Sequence, residues 1–177
     1  MTPHNRGVVF SSKNQEMGTP RDLFKLLTLK DGPFVLDAAA SKVNALCEKF
    51  YTKKENGLVL PWAGAVWNNP PYGRGIEKWT QKAIDETMPG GACERVVMLL
   101  PSRTSRKFFQ DHVWNFADEV RFLRGRLRFV GQKWDAPFPS IVVVFKRRDT
   151  TNRNAPRMWC WDWKTEYKFR FEPPPGD

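Results

Sequence analysis

The chain has 177 residues, 41% hydrophobic and 14% aromatic, which suits one packed domain and excludes disorder throughout. No apolar run reaches the roughly 18 residues of a membrane span, and the polar start, Met1 to Arg6, has no signal-like hydrophobic segment behind it, so a soluble protein of the cytoplasm is expected. Lysine plus arginine outnumber aspartate plus glutamate by 29 to 19, a net charge of +10 that favours a polyanionic partner. Three scattered cysteines (Cys47, Cys93, Cys160) and two histidines (His4, His112) assemble neither a disulfide framework nor a zinc cluster, so reduced thiols and no metal are expected.

Residues 1–18 lack a sustained period and are expected as an arm. Thr19-Pro20-Arg21-Asp22 then predicts a helix start, with Thr19 as cap, proline at the first helical position and Leu23, Phe24, Leu26 and Leu27 as the buried face. Residues 34–37 predict a short strand feeding a turn at 38–41 and a short helix over 43–47. A second strand at 65–68 must end at Pro70 and Pro71, which have no N–H for a ladder. The period of Ile76, Trp79, Ala83 and Ile84 predicts an amphipathic helix over 76–88. Residues 95–100 form a buried strand closed by Pro101, and 104–116 predict another helix. Strands alternating with helices imply an α/β domain over 19–148 with a largely parallel sheet.

After Asp118 the pattern changes. Residues 119–129 alternate, with Gly125 as a turn or bulge, and 141–145 are a buried strand, together suggesting an antiparallel element at the sheet edge. Residues 149–177 are expected as a basic, Trp-rich extension, with Trp159, Trp161 and Trp163 on one face of an extended segment. Ordinary burial habits favour these indoles as a cover for core over a base-stacking platform.

The strongest chemical signal is Asn69-Pro70-Pro71-Tyr72 directly after a strand. An amide, two prolines and an aromatic make a rigid, flat-faced polar pocket at the edge where α/β enzymes place ligands. An aromatic amine is a poor nucleophile because its lone pair is delocalised into the ring. Accepting its two N–H hydrogens on the Asn69 side-chain oxygen and the Pro70 carbonyl would pull the nitrogen toward tetrahedral geometry and aim the lone pair at a methyl donor. Tyr72 would stack on the base, and Pro71 stiffens the loop. The competing structural account is a strand-ending turn.

These residues stand among others in a familiar order. Thr19-Pro20-Arg21-Asp22-Leu23-Phe24, Leu36-Asp37-Ala38-Ala39-Ala40-Ser41, Asn44-Ala45-Leu46-Cys47, Trp67-Asn68-Asn69-Pro70-Pro71-Tyr72-Gly73, Met98-Leu99-Leu100-Pro101, Phe122-Leu123-Arg124-Gly125-Arg126-Leu127 and Ala136-Pro137-Phe138-Pro139-Ser140 resemble, collinearly, the phage-type (Dam-like) DNA N6-adenine methyltransferases. The resemblance implies a Rossmann-like methyltransferase fold, S-adenosylmethionine as methyl donor, double-stranded DNA as substrate, GATC as recognition site and a place in phages or prophages, in the setting of restriction-modification. It sets Thr19 and Pro20 at the methionine end of the cofactor and Asp37, Ala38 and Ala40 in the first cofactor loop. That turn has alanines where methyltransferases in general have glycines. Asp37 is either a ligand for the cofactor's amino group or a satisfied turn acid, and Glu48 and Glu55 are unranked candidates for the ribose hydroxyls.

Between Pro101 and Arg148 there are 11 basic residues against 4 acidic ones. Arg103 follows the strand ending at Pro101, and Arg121, Arg124, Arg126 and Arg128 arm the alternating segment, with Arg126 and Arg128 opposite Leu127 and Phe129. A strand laid along DNA phosphates would look like this, as would a basic edge strand that blocks aggregation. The expected activity is methyl transfer to adenine N6 of DNA without a covalent enzyme intermediate. The alternatives are methylation of RNA adenine or a protein glutamine, and a catalytically inactive DNA-binding relative.

Overall fold

Helix α1 (Arg21–Asp31) starts where three leucines recur on one face: Leu23, Leu26 and Leu27 are fully buried, each contributing about 1.5–3 kcal/mol. The computed structural model describes residues 17–148 and 155–171, so the expected arm, apart from its last two residues, lies outside the described residues. The expected cap moves by one position. Pro20, not Thr19, precedes the first helical residue, its carbonyl accepts the Phe24 N–H at 3.0 Å, and no side chain caps the helix.

The strands are β1 (Leu36–Asp37), β2 (Gly64–Asn68), β3 (Cys93–Pro101), β4 (Glu119–Leu123), β5 (Ser140–Lys146) and β6 (Arg157–Trp161). They form one sheet in the order β1-β2-β3-β5-β4-β6. Pairing is parallel from β1 to β3 and again between β4 and β6, while β5 runs antiparallel to both β3 and β4. The reversed strand therefore lies inside the sheet and not at its edge, because β6 adds a further parallel strand beyond β4. Residues 49–51 extend β1 on its outer side, with Phe50 bridged to Asp37.

Helix α2 (Ile76–Thr87) buries Ile76, Thr80, Ala83 and Ile84 against one face of the sheet, together with the π-helical segment Phe108–Val113 and the short helix α3 (Trp114–Phe116). Helices α1 and α4 (Trp163–Phe171) lie on the other face, over Trp67, Val97, Leu99, Val142 and Val144. This three-layer α/β/α packing of a mostly parallel sheet is the expected fold class.

Four local expectations are corrected. Residues 43–47 make turns and no helix. The helix expected from Thr104 begins at Phe108 and is wound more widely than an α-helix. The strand expected to run to Phe129 stops at Leu123, and Gly125, at φ +75°, turns the chain out of the sheet. Trp159 and Trp161 share a face of β6, but Trp163 opens α4. Trp161 and Trp163 are buried in the core and Trp159 is 38% exposed. Residues 157–171 of the expected extension are thus an integral strand and helix, while 149–154 and 172–177 lie outside the described residues.

Candidate active site

Strand β2 delivers the loop Asn69-Pro70-Pro71-Tyr72. Ala65 to Asn68 are buried, and Trp67 is wedged edge-on against Phe24 at 5.5 Å and close to Phe34 at 6.0 Å, which fixes the strand end. A cavity of about 480 Å³ opens where β1 and β2 end, a volume that suits a nucleoside-sized ligand. Thr19, Asp37, Ala38, Ala40, Asn69, Pro70 and Pro71 all line it. Residues spread over fifty positions of sequence thus meet at one site.

The Asn69 amide is held from one side only. Its Nδ2 donates to the Met17 carbonyl at 2.7 Å and to Thr19 Oγ1 at 3.1 Å, and among the described residues no donor meets Oδ1. The Pro70 carbonyl likewise accepts nothing from the described residues. Two acceptors are left open at the rim of the cavity. Tyr72 lies outside the cavity lining: its hydroxyl donates to the Leu99 carbonyl at 3.0 Å, and its ring meets Phe129 and Phe138 edge-on at 6.0 and 5.7 Å. Burial pushes that hydroxyl well above the usual phenol range, so it stays a donor.

At the other wall the Asp37 carboxylate accepts the Leu46 N–H at 3.1 Å and, more loosely, the Ala39 N–H at 3.4 Å. Burial outweighs these bonds and raises its pKa to about 6, and no salt bridge reaches it among the described residues. A buried, largely ionised carboxylate with no cation beside it fits a ligand that carries one. The geometry is at once that of a turn acid and of a cation site.

A family profile described as DNA N-6-adenine-methyltransferase (Dam) matches residues 9–158. The chain belongs to this family. It is 37% identical over 104 residues to the DNA N-6-adenine-methyltransferase of Escherichia phage T1, which covers 58% of this chain and 42% of that protein. It is also 38% identical over 61 residues to YfdM of Escherichia coli (strain K12), covering 30% of this chain and 67% of that protein. The chain therefore spans less than half the length of its phage T1 relative. A structure described as the modification subunit of a type I restriction enzyme from Vibrio vulnificus YJ016 shares the fold, with a TM-score of 0.51 at 15% identity over 85% of this chain and 48% of that one.

The turn after β1, expected as the first cofactor loop, carries alanines at positions 38, 39 and 40. The Ala38 N–H is committed to the Trp67 carbonyl and the Ala40 N–H to the Tyr51 carbonyl, so both alanines line the cavity without offering it a donor. Gly57 packs directly on this turn, where a Cβ would collide with the Ala38 carbonyl oxygen. Neither Glu48 nor Glu55 lines the cavity; Glu55 instead accepts the Thr52 N–H and hydroxyl, both at 2.9 Å. Thr52, Lys53, Asn56 and Trp79 line that end, and sequence reasoning missed them. Trp79 is legible only as part of the helix period. Pro20 stands behind Thr19 and outside the lining.

The arginines divide. Arg121 is a correction: it is 4% exposed and its fork binds Asp31 at 2.5 and 2.7 Å and Glu119 at 2.8 Å, so it is unavailable to phosphate. Its side chain points inward from β4, where two carboxylates satisfy a planar guanidinium. Arg103 is exposed with its guanidinium 5.7 Å from the Phe138 ring. Arg124 pairs with Asp162 at 2.7 Å and Arg128 with Asp135 at 3.0 Å, both remaining exposed. Arg126 is exposed too, and Leu127 and Phe129 are buried as the alternation requires. Among the described residues no cluster of His, Cys, Asp and Glu is arranged for a metal, and no helix is long and apolar enough to cross a membrane.

Proposed function

We propose that the chain methylates N6 of adenine in double-stranded DNA, in a site-specific manner, using S-adenosylmethionine in the cytoplasm of the cell it acts in. The observation that carries this reading is the Asn69 amide, whose two N–H bonds are spent on the protein, while among the described residues neither Oδ1 nor the neighbouring Pro70 carbonyl meets a donor.

The cavity would hold the cofactor, with Asp37 facing its amino group and Trp79 and Gly57 toward the far end. S-adenosylmethionine, when bound, supplies an electrophilic methyl on a sulfonium. The extruded adenine would enter against Tyr72, an interaction worth about 1–3 kcal/mol in base–aromatic pairs. Asn69 Oδ1 and the Pro70 carbonyl accept the two N6 hydrogens and turn the nitrogen lone pair toward the methyl group. With the donor bound there, methyl transfer to N6 would leave S-adenosylhomocysteine, and the surplus N6 proton, held by Asn69 Oδ1 or the Pro70 carbonyl, would pass to solvent. Direct transfer needs no enzyme nucleophile, and burial, helped by the Asp37 charge, pushes the nearby Cys47 thiol up to about 12. The exposed Arg103, Arg124, Arg126 and Arg128 would meet the phosphates.

Incubation with labelled cofactor and separate duplex DNA, RNA and protein acceptors tests the reading. Label on N6 of adenine in duplex DNA supports it; label in RNA or in a protein glutamine selects those alternatives, and no label selects an inactive DNA-binding relative. Asn69→Ala is expected to cost about 10²–10³-fold in single-turnover rate with little change in binding.

A further inference from the structure

The amide of Asn69 is useful only if its oxygen, and not its nitrogen, faces the incoming amine. The side chain alone does not decide this, since a half-turn about its last bond exchanges the two ends. The segment 17–19 decides it. The Met17 carbonyl is an acceptor with no proton to give, so the group 2.7 Å away must be the NH2 end. Thr19 Oγ1 at 3.1 Å takes the second proton, and Thr19 is 4% exposed, so water does not compete freely for the hydroxyl.

The segment is itself held in place. The Val130 N–H donates to the Gly18 carbonyl at 2.7 Å in an isolated antiparallel bridge, and a Cβ at Gly18 would lie 3.0 Å from Val130 Cβ. Thr19 stands directly before Pro20, whose carbonyl opens α1. Met17 and Thr19 are therefore fixed by the 124–138 loop on one side and by a buried helix on the other.

We infer that Met17 and Thr19 are positioning residues that clamp the Asn69 amide with Oδ1 toward the substrate amine, and that Thr19 acts through Asn69 and not as a ligand of the cofactor. The inference rests on the proposed adenine-N6 reading for its consequence, but the clamp is a property of the unliganded protein.

The test uses the full chain with Thr19→Val, which keeps the shape and removes the hydroxyl, and Thr19→Ser, which keeps the hydroxyl. Single-turnover methylation of duplex DNA by Thr19→Val is expected to fall about tenfold, with the affinities for S-adenosylhomocysteine and DNA within about twofold of the parent, and Thr19→Ser to recover most of the rate. A Thr19→Val protein that loses S-adenosylhomocysteine affinity but reaches the parent's rate at saturating cofactor overturns the inference and makes Thr19 a cofactor ligand. An independent readout is solvent exchange of the Asn69 side-chain amide protons by NMR without ligand. Slow exchange in the parent, accelerated several-fold in Thr19→Val, is expected; equal exchange in the two overturns the clamp. Should the parent itself fail to methylate adenine, the functional reading falls, and the exchange measurement still decides the clamp.

Discussion

Asp37 carries a prediction whose sign follows from its burial. Its carboxyl, raised from 3.8 to about 6, binds its proton more tightly in the fold than in the unfolded chain. The associated stabilisation is complete below about pH 4 and is lost as pH rises through about 6, so the ionised form costs on the order of 2–3 kcal/mol at pH 8. Asp37→Asn should therefore melt at a higher temperature than the parent at pH 8 and lose that advantage at pH 4. A ligand ammonium beside the carboxylate reverses the balance. S-adenosylhomocysteine affinity is expected to be constant above about pH 7, to fall as pH drops below about 6, and to become weaker and flat with pH in Asp37→Asn; calorimetry across that range checks it. A parent affinity that did not change between about pH 7 and pH 5 would make Asp37 a turn acid alone. Asn69 shows the opposite case: a neutral acceptor whose direction, not whose charge, is controlled.

At the scale of elements, the segment after β4 is the one where local pattern and backbone part company. Arg126 and Arg128 face outward and Leu127 and Phe129 inward, as in a strand, yet no ladder accompanies them past Leu123. The alternation reports burial of one side, which a loop pinned on a core satisfies equally well: the Ala136 N–H donates to the Leu127 carbonyl at 2.7 Å, and Phe129 packs near Tyr72. The loop meets Tyr72 through Phe129 without joining the sheet, and its arginines stay exposed. Neutralising Arg126 and Arg128 together is expected to weaken DNA binding on every sequence and to reduce the slope of log affinity against log salt by about 0.9 for each phosphate that is no longer neutralised. A double variant with the parent's slope would leave these arginines to solvent and to Asp135. The β6 strand and α4 are a further element-scale result, since a polar, tryptophan-bearing stretch reads as an appendage until β4 offers it a partner edge.

Across the whole molecule, Arg121 joins parts that the sequence keeps far apart. From β4 it reaches Asp31 at the end of α1, and its guanidinium lies 5.4 and 5.7 Å from the Trp159 and Trp161 rings of β6. Arg121→Ala leaves the buried Asp31 and Glu119 short of a partner and is expected to destabilise by about 3–5 kcal/mol without changing the salt slope of DNA binding; chemical denaturation and binding titrations check the two halves. Sequence alone determined much here. The α/β class, the strand ending in Asp37 and the one leading to Asn69, helix α2 and the turn at Asn69-Pro70-Pro71-Tyr72 follow from apolar periodicity and from prolines that end a strand, which are properties of neighbouring residues. Tertiary structure decided what depends on distant partners: that β5 is internal because β6 adds beyond β4, that Gly57 packs against the Ala38 carbonyl, that Arg121 is neutralised inside, and that Thr19 leaves the helix cap to hold Asn69. An arginine on a strand or a threonine before a proline looks the same locally whether it meets solvent, phosphate or a buried carboxylate, and only the folded chain brings the competing partner within hydrogen-bond reach.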